Sequence, residues 1–191
     1  MKTKSIIEYL KCFNGSKEDV KDLTINHFNI DKTIEEVDLK DLLNFPNLEK
    51  LTLINLTLDD ESLMILTKLN NLTKLNLINC EVLIKKDYKE LLKITRLFLD
   101  NTYFEEYITN NPLEYLELKN IIINCENIKT NILVINKSNI NVNKIDFNNI
   151  NTLIISKKQI EENKEFLLKN KLNVHLTIKD DKFDEVLNEY D

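Results

Sequence analysis

The chain has 191 residues, 42% hydrophobic and 30% charged, with a formal net charge of −6. That length suits one domain with its own core, and the acidic balance argues against a duplex-DNA binder, which normally carries a basic surplus. One glycine (Gly15), two prolines (Pro46, Pro112) and no alanine stand against 31 Leu, 24 Ile, 28 Asn and 25 Lys, which excludes a Rossmann fingerprint, a P-loop and a collagen-like repeat.

The near-absence of residues with GC-rich codons points to an AT-rich coding genome, as in a low-GC bacterium, phage, virus or protist. Cys12, Cys80 and Cys125 form no close pair, as expected of reduced intracellular thiols. Two histidines, His27 and His175, and no CxxC pair leave no zinc pattern, so no metal and no cofactor is expected. The basic start is interrupted by Glu8, Tyr9 and Lys11, unlike a signal peptide. No 18-residue apolar run exists, so no membrane span is expected and a cytoplasmic location is.

In chain order, residues 4–13 place Ile6, Ile7, Leu10 and Phe13 on one helical stripe stopped at Asn14-Gly15, which predicts a capping helix. From residue 20 a single template then returns: L-x-x-L-x-L-x-x-(N/C/T)-x-L. Its strong copies are 48–58 (LEKLTLINLTL), 72–82 (LTKLNLINCEV), 94–104 (ITRLFLDNTYF) and 113–123 (LEYLELKNIII). Weaker copies are 20–30, 130–140 and 150–160, and a degenerate strand at Val174–Ile178 closes the series. Between copies, residues 32–45 open with a capping-box pattern, Thr33-Ile34-Glu35-Glu36, and predict a helix. Residues 60–69 carry Leu63, Leu66 and Leu69 at helical spacing and predict another. A strand at Val37-Asp38-Leu39 would create two 14-residue repeats and is disfavoured. Residues 181–190 put Phe183, Val186, Leu187 and Tyr190 on one stripe, which predicts a C-terminal cap helix.

In L-x-L the two leucines have period 2 and face one side of a strand. One repeat cannot enclose them, so neighbours stack as parallel strands and bury continuous ladders. The markers Leu23, Leu51, Leu75, Leu97, Leu116, Leu133, Leu153 and Val174 are spaced 28, 24, 22, 19, 17, 20 and 21 residues apart. The ninth template position holds Leu56, Cys80, Thr102, Ile121 and Ser138, of which Cys80, Thr102 and Ser138 can bond loop backbone. Asn55, Asn79, Asn101 and Asn120 recur one place earlier and are expected to bond the turn backbone.

The copies resemble the leucine-rich repeat family, and Leu75–Cys80 is similar to the L-x-L-x-N-C segment of its cysteine-containing, ribonuclease-inhibitor-like branch. The run at residues 42–53 (LLNFPNLEKLTL) resembles the family's L-x-x-(L/F)-P-x-L-x-x-L-x-L junction. The resemblance covers roughly residues 20–178. It implies an α/β fold: a leucine-rich repeat solenoid with a curved parallel inner sheet of about seven or eight strands, helices and short turns outside, and helical caps at both ends. The expected organisation is one domain over 1–191, with the N-terminal cap at 1–19, repeats at 20–178 and the C-terminal cap helix at 179–191.

Enzymatic chemistry is not indicated. His27 and His175 fall about six strands apart in the template, Cys80 occupies a ladder position, and the adjacent carboxylate pairs read as solvated turns. What remains is surface. Template position 3 stacks Lys50, Lys74 and Arg96 as a basic row. Beside it lie Ile78, Phe98, Tyr115, Ile132, Val134 and Ile154, apolar groups the ladder does not need, with Tyr103 on the neighbouring turn. Contiguous exposed apolar groups mark contact surfaces, and Arg and Tyr are favoured anchors. The expected function is a non-enzymatic protein-binding scaffold holding a partner protein on its concave face, as an inhibitor or adaptor. A phage- or virus-encoded inhibitor of a host defence complex is one version, on composition alone. Two alternatives stay open: a substrate-recognition subunit of a ligase complex, and a nucleic-acid or nucleoprotein binder using Lys50, Lys74, Arg96 and Lys119.

Overall fold

In a computed structural model of the chain, the described residues are 15–26, 35–36, 39–83, 93–104, 112–123, 128–140, 150–156, 161 and 176–178. The fold is α/β and built on an eight-stranded parallel sheet. Its strands are β1 (Asp22–Asn26), β3 (Lys50–Ile54), β5 (Lys74–Ile78), β7 (Arg96–Asp100), β9 (Leu113–Lys119), β11 (Thr130–Asn136), β13 (Thr152–Ser156) and β14 (Leu176–Ile178), neighbours in that order. A second parallel layer follows the strand ends: β2 (Glu35–Glu36), β4 (Leu56–Leu58), β6 (Glu81–Val82) and β8 (Tyr103–Phe104) form one sheet, and β10 (Ile122–Ile123) pairs with β12 (Asn139–Ile140).

Register follows the leucine template. Leu23, Leu51, Leu75, Leu97, Leu116, Leu133 and Leu153 are successive partners across the sheet. All seven are buried, as is the row two residues on, Ile25, Leu53, Leu77, Leu99, Leu118, Ile135 and Ile155. Period-2 alternation puts both rows on one face, where they form one apolar cluster with the leading residues Val20, Leu48, Leu72, Ile94 and Leu113. The last strand departs from the expected marker. Ile154 pairs with Leu176, so the register of β14 is one residue later than a Leu153–Val174 match requires.

In the main sheet, β3, β5, β7, β9 and β11 are each followed by a left-handed residue: Asn55, Asn79, Asn101, Asn120 and Lys137, with φ between 46° and 61°. Asn is the non-glycine residue best suited to this region, which explains its recurrence in a chain with a single glycine. The bonding differs from expectation. The Asn side chains bond neighbouring side chains rather than turn backbone: Asn55 Nδ2 donates to Asn26 Oδ1 (3.0 Å), and Asn120 Nδ2 to Asp100 Oδ1 (2.7 Å). Their backbone N–H groups continue the ladder, as from Asn79 to Asp100 O (2.9 Å).

The ninth-position residues do bond backbone. Thr102 Oγ1 accepts from Cys80 N–H (3.3 Å) and lies 3.0 Å from Leu77 O, its acceptor. Ser138 Oγ repeats this with Ile121 N–H (3.1 Å) and Leu118 O (2.9 Å). These hydroxyls satisfy polar backbone where the strand layers turn, in an otherwise apolar interior.

On the outer side, the helix α1 (Asp60–Thr67) forms as expected. Asp59 caps it, accepting from the Ser62 N–H (2.8 Å), and Leu63 and Leu66 are buried. The described residues of 32–45 do not form the expected helix. Glu35–Glu36 is a strand paired with Leu56–Thr57, and a 3₁₀ segment follows over Leu39–Asn44. The apolar spacing gives the reason: Leu39, Leu42, Phe45 and Leu48 recur every three residues and all are buried, which is the period of a 3₁₀ turn and not of an α-helix. The two predicted cap helices, at 4–13 and 181–190, lie outside the described residues.

Candidate functional site

The core-facing rows leave positions 3, 5 and 7 of each strand on the opposite face of the sheet. Through β7 this face is largely open: β5 and β7 alternate buried residues with half-buried ones, while on β3 Thr52 is buried. From β9 onward the alternation disappears, with Tyr115, Leu116, Glu117 and Leu118 all buried. Parallel strands covered on both faces lose their alternation in this way.

This divides the predicted contact residues. Lys50, Lys74, Ile78, Arg96, Phe98 and Ile132 are half-buried and reach solvent. Three predicted as exposed apolar groups are not: Tyr115 is 7% exposed, and Val134 and Ile154 are 0% exposed. Val134 stands in register with Glu117 and Ile154, inside the stretch where both faces are covered. Tyr103 pairs through its backbone with Glu81, and its side chain lies outside the described residues.

The open face holds a groove of about 210 Å³ lined by Lys50, Lys74, Asn76, Arg96, Leu97, Phe98, Tyr115 and Glu117. Parallel register assembles it. Lys50, Lys74, Arg96 and Tyr115 are successive cross-strand partners, and Asn76, Phe98 and Glu117 form the next row. The Arg96 guanidinium lies over the Tyr115 ring, 5.2 Å from its centroid. At that distance the contact is a cation–π interaction. The Tyr115 hydroxyl donates to Glu117 Oε2 (2.9 Å), so the buried carboxylate has a donor.

At the other end Lys50 Nζ pairs with Asp22 Oδ2 at 2.9 Å, both side chains more than a third exposed. Such pairs contribute about 0–1 kcal/mol and exchange partners readily. Asn76 Nδ2 donates to Thr52 Oγ1 (3.1 Å), while its Oδ1 is buried with no hydrogen-bond partner among the described residues. Asn76 and Glu117 are not among the contact residues expected from sequence. Their signal was adjacency: each is the position-5 neighbour of a chosen residue.

The groove lining has no Ser, Cys or His to act as a nucleophile or base. Cys80 is buried in the core, its thiol within reach of Leu53 O (3.3 Å). Burial pushes that thiol above its ordinary value, against weaker lowering by neighbouring backbone, which disfavours the thiolate. Among the described residues no group of three or more His, Cys, Asp or Glu could hold a metal ion. Among them, too, no helix is long and apolar enough to cross a membrane. His27, Cys12 and Cys125 fall outside the described residues. Comparison of the chain with protein-family models, curated proteins and solved structures gives no match.

Proposed function

We propose that the protein is a non-enzymatic protein-binding scaffold of leucine-rich repeat type, a capped, curved solenoid that holds a partner protein on its concave face as an inhibitor or adaptor. The observation that carries this reading is the groove itself: Arg96 stacked on Tyr115, with Phe98 half-buried beside them. An aromatic and an arginine that the core does not use are the usual anchors of a protein interface. The groove's mixed apolar and charged lining suits contact with a protein.

Affinity capture from source cells with the full chain tests the reading, run in parallel with Arg96→Ala, Phe98→Ala and Lys68→Ala. A retained protein that is lost with the first two variants and kept with the third supports it. Retention that ignores both groove variants contradicts it.

The register of Lys50, Lys74 and Arg96 favours a second reading, nucleic-acid or nucleoprotein binding. Binding through phosphates falls steeply with salt, so a small salt slope for the captured partner speaks for the first reading.

A further inference from the structure

We infer that the groove receives an acidic segment of the partner protein, its carboxylates against the Lys50–Lys74–Arg96 row and an apolar side chain against Phe98. This rests on the protein-binding reading above and names the chemistry of the partner.

Charge complementarity is the first argument. Of the eight residues lining the groove, three are cations and one is a carboxylate, in a chain of net charge −6. The groove is therefore a local reversal of the protein's own sign. Its carboxylate, Glu117, accepts from Tyr115 and stands one row along from the cations. The Arg96 guanidinium lies over the Tyr115 ring, and its fork of donors suits a carboxylate through two parallel hydrogen bonds. The Lys50–Asp22 pair is solvent-exposed, so a carboxylate from the partner can take the place of Asp22 at little cost.

Length is the second argument. The three cations stand on adjacent strands about 4.8 Å apart, so the row spans about 10 Å. That matches two or three carboxylates. A nucleic-acid strand carries its charge onward, and here it would meet Asp22 beyond Lys50 and the uncharged Tyr115 beyond Arg96, with Glu117 in the next row. Lys119, the next cation on this face, pairs with Asp100 at 3.4 Å.

The third argument is the flanking apolar surface. Phe98, with Ile54 and Ile78 one row further along the strands, is half-buried next to the cations. The segment that fits is acidic and apolar together.

The experiment selects from a random library of short linear peptides displayed on phage, using the full chain as bait. Enriched peptides are synthesised and titrated by fluorescence anisotropy against the wild-type chain, Lys74→Glu, Lys50→Glu, Phe98→Ser and Lys68→Glu. Expected winners are rich in Asp and Glu around a large apolar residue. Each charge reversal in the groove should weaken them about ten-fold or more, while Lys68→Glu leaves them unchanged. Circular dichroism reports folding, and two separate reversals keep the result decisive if one variant does not fold. Neutral or basic winners that still depend on Phe98 overturn the acidic partner and leave the scaffold reading standing. An absence of groove-dependent winners, with an oligothymidylate binding instead, overturns both.

Discussion

Asn101 donates from Nδ2 to Asn79 Oδ1 over 2.9 Å, and both residues hold left-handed backbone. Asn55 and Asn120 donate in the same direction along the sheet edge, to Asn26 Oδ1 and Asp100 Oδ1, and the left-handed backbone recurs because each main strand turns directly after its last paired residue. Asn serves twice there, tolerating the positive φ and linking one turn to the next. A β-branched residue can do neither. Asn101→Val should therefore cost about 1–2 kcal/mol, and Asn101→Gly considerably less. Lys137 holds the same conformation at φ 52°. Lys137→Asn should stabilise by roughly 1 kcal/mol. Urea denaturation of the three variants checks the set, and a neutral Asn101→Val would contradict it.

Thr102 offers a sharper test of the turn layer. Its hydroxyl serves the buried Cys80 N–H and Leu77 O. Thr102→Val keeps the shape and removes both bonds, so stability should fall by about 1–3 kcal/mol. Thr102→Ser retains the hydroxyl and should cost about 1 kcal/mol or less. Equal losses would mean that methyl packing matters more than the bonds.

Neighbouring residues on β5 separate the two faces. Leu77 is 2% exposed in the ladder, so Leu77→Ala should cost about 2–5 kcal/mol. Asn76 lies on the open face and carries an unsatisfied acceptor. Its loss removes one hydrogen bond and one orphan together, and Asn76→Ala should change stability by about 0.5 kcal/mol or less. Similar melting shifts would place the register one residue off.

The α1 cap predicts a pH dependence. Burial raises the Asp59 carboxyl, but hydrogen bonds from Ser62 N–H and hydroxyl and from nearby backbone outweigh it, so the group lies below its ordinary value of 3.8. A lowered folded-state value stabilises above the unfolded carboxylate range, and that stability is lost as pH falls through the folded value. Asp59→Ala should cost about 1 kcal/mol at neutral pH, and the gap to wild type should narrow in acid. Asp59→Asn keeps a capping oxygen without a titrating group and should leave a flatter acid profile. A gap constant down to the acid limit would contradict the assignment.

Much of the main sheet is legible from periodicity alone, because L-x-L at period 2 followed by a polar turn dictates both face and register, and seven leucine markers pair as the template requires. Legibility fails where a competing period or a distant contact decides. Thr33-Ile34-Glu35-Glu36 reads as a helix start, yet the three-residue spacing of Leu39, Leu42 and Phe45 and the pairing of Glu35 with Leu56 prevail. In the β14 copy, the template puts Val174, Leu176 and Ile178 in the ladder frame, whereas Leu176 and Ile178 stand in register with Ile154 and Ser156, a one-residue shift that the alternation of these residues does not signal. The burial of Tyr115, Val134 and Ile154 belongs to the tertiary structure, since a repeat template says which face a residue takes but not whether that face is covered. The basic row and Phe98 were legible because they are departures from the repeat.

The most direct test of the central claim is the affinity of the captured partner for wild type, Phe98→Ala and Lys68→Ala, measured by isothermal titration at one salt concentration. Phe98 is half-buried in the groove, and Lys68 is exposed at the end of α1. A groove-centred interface predicts that Phe98→Ala weakens binding by about 2 kcal/mol or more, roughly thirty-fold. Lys68→Ala should stay within about two-fold of wild type. A larger loss from Lys68→Ala than from Phe98→Ala would move the interface to the outer side and contradict the account.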